Sequence, residues 1–483
     1  MEKIVHKVLL IGLGYHARRI HLPAIKEMGS SVVLSYVVDI IEEKNLIERY
    51  LKDQRIQPGT YFLRPSEYNS EKAWKTILNN IVEEHNIDTV LIATEPLSHY
   101  RYVMWALERG IHILLDKPIS TAEQIANSPK IAKQNLREYE MMEKKYRKVL
   151  KKKNLVFTVL AQRRFHPVFD IAREAINKVF VDTNCPITMQ SSLHCDGQWR
   201  FPDEIIEQNY HPYNSGYGKL SHSGYHSLDV MAEFTGITHK GDKYVDNIEV
   251  YAQGSRPADF MAQLNLEDHK RFFQDSDDHF KYGNEYKSLM RSFGEIDVTA
   301  SIAFKQKKQT ITLGTLNLAH TGYGQRNWAS AKDRDLYKGN GRVRQEQYVI
   351  EQGPFQSIFI NSYQSKEILS NEKSMFDIGG EHHLEVIIFR NDKIYPSWKA
   401  LEVYNVKDIV DFRVKGYSRG HQEEARRSCI FDFFSYIDKD ISVNNQRSNF
   451  LDHRRTAILF SSIYLSLALA RKPLGSQIVR TKI

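Results

Sequence analysis

The sequence predicts an α/β fold that opens on a doubly wound parallel sheet. Three observations carry this expectation. Short apolar runs alternate with helical patterns along the first 160 residues, the first run ends in a glycine-rich turn, and the 483 residues are 41% hydrophobic and 26% charged, an ordinary globular composition. Continuous apolar strands separated by helices belong to a sheet covered on both faces, which is the condition of a parallel sheet.

The elements follow in order. Val8–Ile11 is the first strand, with a helical pattern after it over Tyr15–Met28. Val32–Val38 is the second, followed by the charged helical stretch Glu42–Gln54. Thr89–Ala93, His112–Leu115 and Leu155–Val159 are further strands, and His99–Arg109 is a helix. The first strand runs into Gly12-Leu13-Gly14-Tyr15-His16-Ala17, a G-x-G-x-x-A turn. In a dinucleotide-binding turn the first glycine permits the tight bend and the second lets the backbone approach a pyrophosphate. The third small residue, here Ala17, lets the helix pack closely on the strand. Asp39 ends the second strand, 22 residues after Ala17, near the spacing of about 20 at which an acidic residue meets ribose hydroxyls. A carboxylate there repels a 2′-phosphate, so NAD is expected rather than NADP. The alternative reading of Asp39 is a cap on the next helix.

Charge and cysteine content exclude other classes. Lys and Arg number 67 against 59 Asp and Glu, a formal net charge of +8, too mild and dispersed for a nucleic-acid binder. The dense basic run Lys144–Lys153 closes a helical pattern and reads as a solvated helix face. Three cysteines are too few for a disulfide framework. The N-terminus has no signal-peptide pattern, and the apolar stretch Ala457–Ala470 has 14 residues, short of the roughly 20 needed to cross a membrane. The expectation is a cytoplasmic protein with no membrane or nucleic-acid partner.

A run of further motifs is more specific. Thr94-Glu95-Pro96-Leu97-Ser98-His99 is followed by Ala106-Leu107, Gly110, His112 and then Asp116-Lys117-Pro118. Later come Gln162-Arg163-Arg164-Phe165, Trp199-Arg200, and Gly216-Tyr217-Gly218-Lys219-Leu220-Ser221-His222-Ser223-Gly224-Tyr225-His226-Ser227-Leu228-Asp229. This chain resembles the Gfo/Idh/MocA oxidoreductases, whose motifs are T-P-x-x-x-H, A-L-x-x-G-x-H, E-K-P, R-R-F, W-R and G-G-G-x-L-x-D-x-G-x-H-x-x-D. It departs from them in splitting the T-P pair with Glu95, in Asp116 for glutamate, and in His222 for aspartate. Residues from about 255 to 371 do not align.

The resemblance implies a Rossmann domain, residues 1–160, followed by a substrate-binding and oligomerisation α/β domain, residues 161–483, with a large open, mostly antiparallel sheet. Asn247–Ala252, Asp297–Phe304, Thr310–Leu318 and His383–Arg390 are its expected strands, and the last helix, about 456–470, is a candidate to pack back on the first domain. The unaligned stretch is expected to extend the sheet or add a lid or an oligomer arm. The implied substrate is a sugar, cyclitol or nucleotide-linked sugar, and a homo-oligomer is expected.

Gly12, Gly14, Tyr15, His16, Ala17, Asp39, Thr94, Pro96, His99, Asp116, Lys117 and Pro118 are then the cofactor-binding residues. Lys117 polarises the substrate oxygen, and His226 is the general acid/base, an imidazole titrating near neutrality. His222 either shares that work, meets a negative group on the substrate, or marks impaired catalysis. Arg164, Trp199, Arg200, His211 and Tyr213 are the candidate substrate contacts, aromatic and cationic side chains being suited to sugar faces, carboxylates and phosphates. His222 and His226 also have metal-ligand spacing on a helix. Third ligands such as His211 or His194 lack supporting spacing, so no metal is expected. Two alternative functions share the fold: an NAD-dependent glycosidase working by oxidation and elimination, and a non-catalytic cofactor-binding regulator.

Overall fold

The computed structural model describes residues 5–196, 205–206, 212–265, 267–268, 271, 287–322, 343–365, 375–409, 420–471 and 476–483. They divide into two compact units, one of residues 1–120, 137–165 and 422–452, the other of residues 121–136, 166–421 and 453–483. The chain therefore leaves the first unit at Phe165 and returns to it at Gln422, where the sequence reading placed one boundary near residue 160.

The first unit is built on a six-stranded sheet of β1 (His6–Ile11), β2 (Val32–Ile40), β3 (Gly59–Leu63), β4 (Thr89–Ile92), β5 (His112–Leu115) and β6 (Phe157–Val159). All neighbours are parallel and the order is 3-2-1-4-5-6, the dinucleotide-fold order. β1, β4 and β5 are apolar on both faces because helices cover both: Leu9, Leu10, Val90, Leu91, Ile113 and Leu114 are fully buried. The helical pattern at Tyr15–Met28 is two helices, Tyr15–Arg19 and His21–Met28, joined at Ile20. Helix His99–Arg109 stops where Gly110 takes a left-handed conformation at φ 66°. In helix Pro129–Leu150 Tyr146 is buried while Lys144, Arg147 and Lys148 are exposed, so the basic run is a solvated face.

His112, at the start of β5, accepts a hydrogen bond from the Val156 N–H through Nδ1 at 3.0 Å. Only the unprotonated ring can do this, and burial together with nearby Lys153 lowers its pKa to about 4. The unfolded ring binds a proton near 6.5 and the folded ring only near 4, so this contribution is complete above pH 6.5 and is lost as the pH falls towards 4. His6 works in the opposite sense: its bonds to Asp88 and Asp438 raise its pKa, so its contribution is complete below about 6.5 and fades as the pH rises. His112→Asn keeps an acceptor but cannot titrate there. It should match the wild type at pH 7 and exceed it by on the order of 1 kcal/mol at pH 5 in chemical denaturation followed at both values; an equal loss in both proteins would exclude the assignment.

The second unit carries a nine-stranded sheet: β7 (Met189–Cys195), β8 (Asn247–Ser255), β9 (Asp297–Gln306), β10 (Gln309–Ala319), β11 (Val343–Gln352), β12 (Gln356–Ser365), β13 (Glu385–Arg390), β14 (Leu401–Asn405) and β15 (Val479–Lys482). Its order is 14-13-12-11-7-10-9-8-15, and β7–β10 is the parallel pair in an otherwise antiparallel sheet. The described part of the unaligned stretch thus supplies β9 to β12. One face is covered by helices Pro167–Thr183 and Gly224–Thr238, with Val168, Phe169, Phe234, Tyr348, Ile350, Ile358 and Val386 in one core cluster. The other face exposes Met189, Leu313, Phe389, Leu401 and Val403, each about half exposed. The C-terminal helix Arg454–Leu469 belongs to this unit and not to the first. It packs on β8 and on helix Gly224–Thr238, because its small and apolar residues are buried nearly all round. The segment that completes the first unit is instead 422–452, which includes most of helix His421–Asp438.

Candidate functional site

The first unit holds the glycine turn. Gly12 has φ +90°, and a Cβ there would sit 2.7 Å from the Ala93 carbonyl oxygen, so only glycine fits. At Gly14 a Cβ would meet nothing within 4 Å, which is the room a pyrophosphate needs to approach the backbone. Ala17 is fully buried where the helix meets the sheet. These features suit a dinucleotide. Asp39 accepts two backbone bonds, from Leu13 N at 2.7 Å and from Ile40 N at 2.8 Å. It therefore also braces the turn. Burial raises its pKa in spite of these two bonds.

The other residues expected to meet the cofactor lie at the carboxyl ends of β4 and β5. Thr94 Oγ1 and Ser98 Oγ are 2.7 Å apart. His99, fully buried, has Nδ1 2.9 Å from the Pro118 carbonyl oxygen and Nε2 3.0 Å from that of Thr94. Burial lowers its pKa, so the neutral ring donates to one of these carbonyls at a time. His99 thereby ties the Thr94 turn to the Lys117–Pro118 peptide, which is cis. Next to Lys117, buried Asp116 lies 2.9 Å from His21 Nε2 and 3.8 Å from His16 Nε2. Burial favours the acid form of Asp116, but the two imidazoles outweigh it and hold the carboxyl well below its usual range. Among the described residues, His16, His21 and Asp116 are the three groups within reach of one metal ion. That constellation is distinct from His222 and His226.

The second unit holds the motif from Gly216 to Asp229. Gly216 has φ +77°, and a Cβ on Gly218 would fall 2.0 Å from the Glu295 carbonyl oxygen. The segment is pinned there by Lys219 N donating to Glu295 O at 2.8 Å and Leu220 N donating to Glu295 Oε1 at 2.9 Å. His222 lies in the turn before helix Gly224–Thr238, and His226 lies in its first turn. The two histidines therefore do not share one helical face. His222 is buried edge-on against Tyr213 and Tyr217, with ring centroids 4.7 and 5.6 Å away. Tyr213 is itself buried, its hydroxyl 3.5 Å from His320 Nδ1. Asp229 accepts from Thr456 Oγ1 at 2.8 Å and lies 3.1 Å from His453, which anchors the helix. Arg164 belongs to the first unit, where it is buried and donates to the Asp452 carbonyl oxygen at 3.5 Å. Trp199, Arg200 and His211 lie outside the described residues.

A buried charged network beside His222 and His226 escaped the sequence reading. Asp196 Oδ2 accepts from Lys219 Nζ at 2.8 Å and from Ser223 Oγ at 2.5 Å. Asp196 Oδ1 is 3.3 Å from His194 Nε2, and His194 Nδ1 is 3.4 Å from Glu346, which also pairs with Arg344. Glu346 in turn accepts from the Tyr348 hydroxyl at 3.3 Å, which lies 3.1 Å from Ser227 Oγ. Lys219, Asp196, His194 and Glu346 are at most 6% exposed. The one sequence signal was a lysine set among glycines and apolar residues at Gly218-Lys219-Leu220.

Residues 6–141 match the model of an oxidoreductase family with an NAD-binding Rossmann fold. An uncharacterized oxidoreductase of Schizosaccharomyces pombe is 26% identical over 170 residues, 35% of this chain and 37% of that protein. Among solved structures, levoglucosan dehydrogenase in complex with NADH and L-sorbose superposes with a TM-score of 0.58 at 16% identity, covering 99% of both chains. A 3-ketoreductase from Actinomadura kijaniata in complex with NADP and TDP-benzene gives 0.54 at 13% identity, covering 95% of this chain and 97% of the other. At such identities these are likenesses of fold. Among the described residues no helix is long and apolar enough to cross a membrane.

Proposed function

We propose that this protein, whose residues 6–141 match the model of an oxidoreductase family with an NAD-binding Rossmann fold, works as the Gfo/Idh/MocA oxidoreductases it resembles and transfers a hydride between NAD(H) and a secondary alcohol or ketone of a sugar, cyclitol or nucleotide-linked sugar. The observation that carries this reading is the Asp116-Lys117-Pro118 turn at the carboxyl edge of the parallel sheet, tied through buried His99 to the Thr94 turn. That edge is where open α/β sheets bind ligands. Bound NAD supplies the hydride acceptor or donor. The Lys117 ammonium polarises the substrate oxygen and steadies it as negative charge develops, and His226 exchanges the hydroxyl proton. His222, packed edge-on to two tyrosines, orients the substrate or assists that transfer. Tyr213, Trp199, Arg200 and His211 are its proposed companions on the substrate side.

Titration with NADH and NADPH, followed by nicotinamide fluorescence, tests the cofactor. Saturable NADH binding tighter than NADPH is expected, with sugars and cyclitols then screened for turnover; failure of both to bind a folded, cofactor-free protein would overturn the reading. Asp39→Ser removes the carboxylate that repels a 2′-phosphate. It should weaken NADH by about tenfold and improve NADPH, whereas an unmoved preference would leave Asp39 as only a brace for the turn.

A second reading rests on His222. With a histidine where the family has aspartate, the protein is a cofactor-binding regulator, and it then binds NADH without turning over any polyol. We also propose that the half-exposed apolar residues on the open sheet face are covered in a homo-oligomer. Light scattering should return a multiple of 56.3 kDa; a monomer at micromolar concentration would exclude it.

A further inference from the structure

The second unit contains a cavity of about 450 Å³ lined by Arg256, Asp259, Arg291, Glu295, Leu467 and Arg471, among others. Its volume is in the range of small-molecule sites, and its charge is unusual. Arg256 is 9% exposed, and its guanidinium donates to the carbonyl oxygens of Phe293 and Ala126. Arg471 donates to the Asn127 amide oxygen at 3.0 Å and to the Arg291 carbonyl oxygen at 2.7 Å. Neither guanidinium is paired with a carboxylate among the described residues, and Asp259 is occupied in accepting the Arg256 backbone N–H at 2.8 Å. Three arginines thus border the cavity, and none of their guanidinium groups is paired with a carboxylate among the described residues.

Glu295 is the second, independent sign of a ligand. It is 1% exposed. Its Oε1 accepts from Leu220 N and from the Tyr464 hydroxyl, each at 2.9 Å, while its Oε2 is buried with no hydrogen-bond partner among the described residues. A buried carboxylate oxygen without a donor costs stability unless a donor arrives. A metal ion is disfavoured by the arginines. A plain anion would satisfy the arginines but bring no donor to Glu295 Oε2. The group that answers both is an oxyanion that keeps a proton.

We propose that this cavity binds a hydrogen-phosphate group, free or on a small monoester. Its unprotonated oxygens accept from the guanidinium groups of Arg256, Arg291 and Arg471, and its P–OH donates to Glu295 Oε2. Since Glu295 also pins the Lys219–Leu220 backbone, occupancy steadies the segment leading to His222. The binding itself does not depend on the oxidoreductase reading.

Titration calorimetry of the full chain at pH 7 and constant ionic strength, with inorganic phosphate, glycerol phosphate and sulfate, tests this. Saturable binding of one phosphate per chain is expected, with sulfate at least about tenfold weaker because it brings no proton for Glu295. Tighter glycerol phosphate than inorganic phosphate would identify a monoester as the occupant, and the reverse would identify the free ion. Glu295→Gln keeps an acceptor for Leu220 N and turns the unpartnered oxygen into a donor, so its preference for phosphate over sulfate should collapse towards one. Arg471→Ala should weaken both anions. Absence of saturable phosphate binding, or equal affinity for phosphate and sulfate in the wild type, would overturn the proposal. The wild-type ratio decides it even if Glu295→Gln folds poorly.

Discussion

Lys117→Ala is expected to lower turnover about a thousandfold on the best substrate of the polyol screen, with NADH affinity changed less than about twofold. The two numbers separate because most of the proposed NAD contacts, the Gly12–Gly14 turn and Asp39 among them, remain in the variant, while the ammonium that is lost is proposed to act chiefly on the substrate oxygen. Lys117→Arg keeps the charge but replaces a compact ammonium with a planar fork, and it should recover only part of the loss. A split with kcat reduced and NADH binding intact supports the assigned role. Turnover at the wild-type level in Lys117→Ala would remove the lysine from the mechanism.

Lys219→Met should destabilise the second unit by about 3–5 kcal/mol, the range for leaving one partner of a buried ion pair alone. Lys219 is 1% exposed, and the Asp196 carboxylate that accepts from it is 6% exposed. In the variant, Asp196 loses the ammonium 2.8 Å from its Oδ2 and keeps, among the described partners, Ser223 and the more distant His194 and Arg344. Adding Asp196→Leu should restore part of the loss, because an apolar pair of similar volume removes the unmet charge. Hydrogen exchange of the segments 189–196 and 343–352 reads this locally, which suits a chain of two units better than one global midpoint. A deficit below about 1 kcal/mol would mean that the pair is effectively solvated.

Much of the first unit was legible because its strands are apolar on both faces, a pattern that needs no partner to be recognised. β3 escaped: Gly59–Leu63 is short and only Leu63 is buried. In the second unit β8, β9, β10 and β13 follow ordinary alternation, apolar inward and polar outward. β7 inverts it. Gln190, Ser192 and His194 face inward and are fully buried, while Met189 is about half exposed, so the central strand of the sheet reads as a polar loop. β11 carries Glu346 and Gln352 inward for the same reason. The candidate site divides likewise. The glycine turn, Asp39, the Asp116–Pro118 turn and the segment through His226 are contiguous motifs. The Asp196, Lys219 and Glu346 cluster is assembled from three distant stretches, and no local pattern announces such a meeting.

The return of residues 422–452 to the first unit bears on how the protein is made. Cys429, Ile430, Phe433 and Phe434 share one core cluster with Val8, Leu10 and Leu13. A ribosome that has released the first 165 residues has delivered all six parallel strands but not the wall that closes their core. That wall emerges more than 250 residues later, and at about 5–20 residues per second the wait is tens of seconds at the slower rates. During that time a wide apolar face is open to water and to other nascent chains. The unit with the parallel sheet is thus committed first and finished late, which makes it a natural client for chaperones during synthesis. An isolated 1–165 fragment should be a sticky, incompletely packed species and not a small free-standing domain.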